Sequence, residues 1–308
     1  MVTQPDRPAG RGHKLTPTPV KRAAEARGLR ISTPERLKPF ADEARALGAD
    51  AFVVASYGRI VPQALLDVVP IAFNVHPSLL PLYRGATPLQ SAIRDGRTET
   101  GVTIIAMDAG MDTGDVLLQE RTPIGPEETY GELHDRLAQR GAKMVVEALQ
   151  RYEEGCIKRR SQNEIAYELE ITGEEIVRTL TRPLRKEDLV ISGDLKAKEI
   201  VDKIRSLAPA PAARMKSSMS FAGPVKVLKA SVSSDAPLLP SGVIDPGQPV
   251  LVRGRIWIEA RDGMVRVDEL VVPGSKPMSA NQFKIGYPGL TGPEYLLPYL
   301  RRYLETSP

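Results

Sequence analysis

The chain has 308 residues, 42% hydrophobic and 26% charged, with a net charge of +4 and one cysteine, Cys156. At about 150 residues per domain this length fits two domains with real cores. The single cysteine excludes an intrachain disulfide, and with only His13, His76 and His134 beside it, it excludes a structural zinc site of the usual Cys/His kind. No apolar run reaches the roughly 18 residues of a membrane span. Met1–Pro8 lacks the apolar stretch of a signal peptide, so a cytoplasmic location is expected. The charge is uneven: +6 over residues 1–40, −7 over 41–204 and +5 over 205–308. Two basic ends around an acidic middle fit a polyanion gripped from two sides. The same imbalance also describes ordinary solvated faces.

The chain opens in a stretch rich in Gly and Pro, with Val2-Thr3 the one strand-like remnant. An α/β sheet normally opens with a strand and a helix, so one such unit, about thirty residues, is expected to be missing. Pro34–Leu47 carries apolar residues at helical spacing, and Pro88–Arg94 is a shorter helical segment. Asp50–Ser56, Ile71–His76 and Thr100–Met107 are short apolar runs of the kind found in strands buried on both faces. Asp115–Gln119 is a fourth, continuing into Arg121–Ile124. Thr129 with Glu132 makes a capping box, opening a helix that runs to about Glu154 and stops at Gly155. Strands alternating with helices predict an α/β fold: a doubly wound, mostly parallel sheet of Rossmann type.

After Cys156 the chain is polar and charged to about Asp194. Leu195–Leu207 then reads as a helix ended by Ala208-Pro-Ala-Pro211. Strand-like runs follow at Pro224–Ala230, Val250–Ala260 and Met264–Val272, with a hairpin signal at Arg261-Asp262-Gly263. Short strands punctuated by Pro and Gly predict a smaller β-barrel or sandwich. The expected organisation is a catalytic domain over 1–175, a linker over 176–194 and a β domain over 195–308.

Asn74 and His76 lie two apart near the end of a predicted strand, so both point to one face. Ligands of doubly wound sheets sit at the carboxyl ends of the strands. Pro77-Ser78-Leu79-Leu80-Pro81 follows as a partly apolar wall, then Arg84-Gly85, and Asp112-Thr-Gly-Asp115 lies in the loop between the third and fourth strands. An amide, an imidazole and a carboxylate at one place suit acyl transfer to an amine. Asn74 and a protonated His76 can hold an oxyanion, Asp112 can favour the charged imidazole, and a proton carrier serves the attacking and leaving nitrogens. No covalent nucleophile is needed. Taken singly, His76 also reads as a buried structural histidine and Asp112-Thr-Gly-Asp115 as a plain turn.

The run Asn74-Val-His76-Pro-Ser-Leu-Leu-Pro81, with Arg84-Gly85 and Asp112-Thr-Gly-Asp115, resembles the folate-dependent formyltransferases. The resemblance implies that Asn74, His76 and Asp112 are the catalytic trio and that Ser78, Leu79, Leu80 and Pro81 bind the folate. The cosubstrate would be 10-formyltetrahydrofolate, with no metal. Thr3–Gly12, with Lys14-Leu-Thr-Pro and Pro19-Val-Lys21, is similar to the recognition loop of those members that act on initiator methionyl-tRNA in translation initiation. In it Arg7, Arg11, Lys14 and Lys21 would meet the tRNA, Arg11 foremost, and Gly10 and Gly12 allow close approach of the backbone. Pro273–Ala280 and Phe283 are similar to the C-terminal signature of the same members, whose second domain is an OB-like barrel that holds tRNA. A monomer is expected.

The chain departs from the family pattern in three ways. The opening strand and helix, with their Gly-Thr-Pro turn, are missing. His13 stands where lysine is usual. Ser206-Leu-Ala-Pro-Ala-Pro211 lacks the customary tryptophan. Two other readings remain open at this point: a formyltransferase acting on a sugar-nucleotide or glycinamide-nucleotide amine, and a tRNA-binding protein without catalysis.

Overall fold

The computed structural model describes residues 1–9, 14–215, 224–236, 249–252 and 255–286. In chain order the elements are β1 (Arg7–Ala9), β2 (Lys14–Thr16), α1 (Pro19–Glu25), α2 (Leu37–Ala46), β3 (Phe52–Ala55), α3 (Gln63–Leu66), β4 (Ala72–His76), α4 (Pro88–Arg94), β5 (Glu99–Ala106), β6 (Val116–Pro123) and α5 (Tyr130–Glu153). They continue with α6 (Gln162–Glu168), α7 (Gly173–Arg178), α8 (Ala197–Leu207), β7 (Ala213–Arg214), β8 (Lys226–Val232), β9 (Pro249–Val252), β10 (Arg255–Ala260), β11 (Gly263–Val271), β12 (Met278–Ser279) and α9 (Ala280–Gly286). Two compact units result: Met1–Ala86 with Val102–Glu120 and Gln139–Leu180, and Thr87–Gly101 with Arg121–Ala138 and the described residues of Thr181–Pro308. Among the described residues no helix is long and apolar enough to cross a membrane.

The first unit is built on the sheet β3-β4-β5-β6. β3 pairs parallel to β4, but β4 pairs antiparallel to β5, with Phe73 opposite Ala106 and His76 opposite Thr103. The sheet is therefore mixed, which corrects the mostly parallel expectation. The physical reason is that all of β5 after Glu99 is buried. An apolar run buried on both faces satisfies either pairing direction equally, so it carries burial and no polarity. The amphipathic α2 buries Leu37, Phe40, Ala41 and Ala44 against Leu65, with Phe52 and Val61 beside them. Gly141 in α5 allows close packing on β4, since a Cβ there would lie 2.7 Å from Val75 Cγ1. Phe73 meets Tyr152 edge to face at 5.8 Å and 83°.

Within the Gly/Pro-rich opening, two short segments pair as an antiparallel ribbon. β1 pairs with β2, Arg7 opposite Thr16 and Ala9 opposite Lys14. Pro8 cannot donate to a ladder, but a two-stranded ribbon has an open side where a proline costs little. Val2 does form a parallel bridge, to Ser32. The base of the hairpin is tied by Thr3 Oγ1 to Thr18 Oγ1 at 2.8 Å and by the Thr18 cap of α1.

The second unit carries the β sheet of the C-terminal half, in the order β7-β8-β11-β10-β9, with β12 on β11. The turn at Arg261-Asp262 joins β10 to β11, with Ala260 opposite Gly263. Asp262 Oδ1 also accepts from the Ala197 amide at 2.7 Å, which anchors the start of α8. Ile200 and Ile204 of α8 join Ile256, Ile258, Val265, Leu270 and Phe283 in one core. Among the described residues the strands form an open path and no closed barrel, which corrects the expectation of a barrel. Strand periodicity specifies an apolar face; closure depends on tilt and register, which period-2 alternation does not encode.

Candidate active site

Asn74 and His76 project from one face of β4, as their spacing predicts. The loop that follows β5 starts beside the other end of β4, where the Met107 amide bonds the Ala72 carbonyl. It folds back across the sheet and delivers Asp112 between the two side chains. Asn74 Nδ2 donates to Asp112 Oδ1 at 3.2 Å, and His76 Nδ1 stands 3.6 Å from Asp112 Oδ2. The Gly85 amide donates to the same Oδ2 at 2.8 Å. The three side chains thus gather at β4, whose last residue is His76.

Asp112 has φ +57°, a left-handed conformation that Asp tolerates better than most residues. Two residues on, a Cβ at Gly114 would sit 1.8 Å from the Ala106 carbonyl oxygen, so only glycine fits there. Asp108 Oδ1 braces the loop through the Gly110 amide at 3.0 Å and Thr113 Oγ1 at 2.7 Å.

His76 is buried, and its Nε2 lies 2.9 Å from the Tyr83 carbonyl oxygen. A carbonyl only accepts, so Nε2 carries the proton and Nδ1 presents its lone pair toward Asp112. Burial lowers the imidazole pKa, outweighing the attraction of Asp112 and the Tyr83 carbonyl; nearby Arg84 lowers it further. Burial thus favours the neutral form of the resting imidazole, against the pull of Asp112 toward the charged form.

The unfolded chain takes up a proton near the ordinary histidine pKa of 6.5, while the folded imidazole resists protonation until lower pH. The neutral burial is fully tolerated above 6.5 and costs stability progressively as pH falls below it. Melting temperature should drop more steeply below pH 6.5 in the wild type than in His76→Gln. Equal slopes would mean that His76 is not held neutral.

Ser78 and Leu80 are buried. Ser78 Oγ donates to the Leu82 carbonyl at 2.7 Å, and Thr103 Oγ1 donates to the Ser78 carbonyl at 2.7 Å. Leu80 packs with Ile105, Val116 and Ile165. Pro81 is also buried, and Leu79 is half-buried. The segment is a rigid wall fastened to β5 beside the trio. Arg7 and Lys14 are exposed and share one face of the hairpin. Lys21 Nζ instead meets Asp6 at 2.9 Å, a contact that raises its pKa. Arg11 lies outside the described residues.

Three contributors went unread in the sequence: the Tyr83 carbonyl, the Gly85 amide and Gln162. The first two are backbone groups, which any side chain can carry. Gln162 sits in the polar stretch after Cys156, inside a Ser161-x-x-Glu164 capping pattern that marks a helix start but no site.

A formyl transferase family pattern matches residues 1–149, and a formyl transferase C-terminal domain pattern matches 183–288. A methionyl-tRNA formyltransferase of Symbiobacterium thermophilum is 40% identical over 93% of this chain and 84% of its own length. One from Halorhodospira halophila is 38% identical over 93% and 87%. Among solved structures, an N-formyltransferase from Helicobacter canadensis, in complex with folinic acid and dTDP-3-aminofucose, has TM-score 0.59 at 18% identity over 86% of both chains. HypX from Aquifex aeolicus with tetrahydrofolic acid has TM-score 0.59 at 19% identity over 88% of this chain and 44% of its own. At such identities the two structures speak to the fold alone.

Proposed function

The chain belongs to the methionyl-tRNA formyltransferases, and from that membership we infer that it transfers the formyl group of 10-formyltetrahydrofolate to the α-amino group of methionine on initiator tRNA. The observation that carries the reading is the Asp112 carboxylate lodged between the Asn74 amide and the His76 imidazole. That donor set fits formyl transfer. Asn74 spends one Nδ2 hydrogen on Asp112 and has a second to direct at the formyl oxygen, where negative charge develops as the amine attacks. His76 accepts the amine proton on Nδ1. The imidazolium so formed lies between the Tyr83 carbonyl and Asp112, both of which stabilise it. His76 then returns the proton to the folate nitrogen as the carbon–nitrogen bond breaks, so the site ends as it began.

In this reading Ser78, Leu79, Leu80 and Pro81 form the wall for the folate. The hairpin presents Arg7 and Lys14 to tRNA phosphates, Arg11 is the further arginine that would meet them, and Lys21 supports the base through Asp6. The catalytic domain spans 1–175, a linker 176–194, and residues 195–308 form a tRNA-holding β domain, in which the net +5 over 205–308 suits a polyanion. The protein works in the cytoplasm as a monomer. The test offers it charged initiator tRNA, an aminosugar nucleotide and glycinamide ribonucleotide together, each with 10-formyltetrahydrofolate. Formyl on the methionyl-tRNA alone is expected; formyl on either nucleotide amine instead overturns the reading, and no product at all favours binding without catalysis.

The hairpin has its own test. Arg11→Ala should raise KM for charged tRNA about tenfold, the scale of one charged hydrogen bond, with folate affinity unchanged. Arg7→Ala should lower the salt dependence of tRNA binding by about one unit of log–log slope. Unchanged tRNA kinetics in both variants would remove the hairpin from recognition.

A further inference from the structure

We propose that Gln162 is a positioning residue of the active site, clamping the Asp112 loop from the helix α6. The proposal rests on the catalytic reading of Asn74, His76 and Asp112 given above. Gln162 lies in the stretch between the two matched family patterns, 1–149 and 183–288.

Gln162 is 3% exposed, and its amide is used at both ends. Nε2 donates to the Asp112 carbonyl at 2.8 Å and to the Gly114 carbonyl at 2.9 Å. Oε1 accepts from Arg84 Nε at 2.9 Å and Arg84 Nη2 at 2.7 Å. One side chain therefore joins the two segments that flank the carboxylate: Arg84-Gly85, whose Gly85 amide bonds Asp112 Oδ2, and the turn that carries Asp112 itself.

The neighbouring chain is built to keep that amide in place. Arg160 exchanges backbone hydrogen bonds with Val116, at 2.9 and 3.0 Å, which sets the start of α6 against the first residue of β6. Ser161 and Glu164 form a capping box, so Gln162 occupies the first turn in a fixed orientation. Ile165, one turn on, is buried against Leu80, Ile105 and Val116. A surface helix has no need of a buried glutamine at this point. A loop held at φ +57° beside a glycine that tolerates no Cβ is fastened from outside at the Asp112 and Gly114 carbonyls.

The trio depends on this placement. His76 Nδ1 and Asp112 Oδ2 are 3.6 Å apart. The charged groups facing His76 are Asp112 and Arg84, and Gln162 touches both segments that bear them. Release of the clamp lets Asp112 withdraw while the fold persists.

The experiment compares Gln162→Met and Gln162→Glu in the full chain. The first is neutral and similar in length and removes all four bonds. The second keeps the acceptor for Arg84 and loses both donations to the loop. Both should lower kcat about 100-fold, the scale of an ångström-sized misplacement, with KM for charged tRNA unchanged. In Gln162→Met the acidic limb of the kcat profile should also move to lower pH, because Asp112 no longer raises the pKa of His76. Gln162→Glu tests the clamp should Gln162→Met fail to fold. Wild-type kcat in Gln162→Glu would overturn the proposal, as would a uniform loss at every pH in Gln162→Met, the mark of a merely structural role. His76→Ala run alongside separates the two levels: if it remains active the catalytic reading fails, and if it is inactive while both Gln162 variants match wild type, only the clamp fails.

Discussion

His76→Ala should lower formyl transfer by about 10²–10⁴-fold, the usual worth of a positioned acid–base group. The substitution removes the Nδ1 lone pair that takes the amine proton, and nothing else within the trio replaces it. Asn74 has no basic atom, and Asp112 is engaged by Asn74 and the Gly85 amide. Some stability goes as well. The Tyr83 carbonyl loses its hydrogen bond to His76 and the buried imidazole leaves a void. Loss of a buried hydrogen bond costs about 0.5–1.5 kcal/mol, so kinetics belong at a temperature where the variant is folded. Binding of charged tRNA should stay within about twofold of wild type, since no base contact or phosphate contact is touched. A variant that keeps more than a tenth of the wild-type kcat would remove His76 from proton transfer.

Gly114→Ala should be the most damaging substitution outside the trio. Its Cβ would stand 1.8 Å from the Ala106 carbonyl oxygen and 2.9 Å from its carbon, and both are backbone that cannot rotate away. The loop must move by more than an ångström, taking Asp112 with it. A loss in kcat of about 100-fold follows from that displacement, together with a destabilisation of about 1–3 kcal/mol from overpacking. Gly173→Ala is the control. Nothing lies within 4 Å of a Cβ there, so it should leave kcat and melting temperature close to wild type. Measuring kcat and melting temperature for the pair decides the matter; an active Gly114→Ala would mean that the Asp112 loop need not be held where it is.

These two residues also show what can be read from a linear chain. Asn74 and His76 were legible because a period of two puts them on one face whatever surrounds them. The strands Ala72–His76 and Glu99–Ala106 were legible because buried strands are apolar. Their opposite directions were not, since burial on both faces looks the same in either sense. The turn at Asp112 was visible as Asp-Thr-Gly-Asp, but its left-handed φ and its fold back over β4 depend on a glycine meeting a carbonyl that belongs to another strand. The hairpin of Arg7–Ala9 and Lys14–Thr16 was hidden by Pro8, which reads as a strand breaker and is harmless in a two-stranded ribbon. Gln162 left no trace, because a lone neutral amide has no period, no charge and no partner nearby in sequence. Its partners are 78 and 50 residues away. Backbone contributors such as the Tyr83 carbonyl leave even less, since their chemistry is independent of the side chain.

The central claim is that His76, flanked by Asn74 and Asp112, moves the proton during transfer of a formyl group to a methionyl amine. The measurement that tests it most directly supplies 10-formyltetrahydrofolate labelled in the formyl carbon to charged initiator tRNA, with wild type and His76→Ala side by side, and weighs the released methionine. Labelled formyl-methionine from wild type and its near absence with His76→Ala is the predicted result. Equal label from both proteins would contradict it.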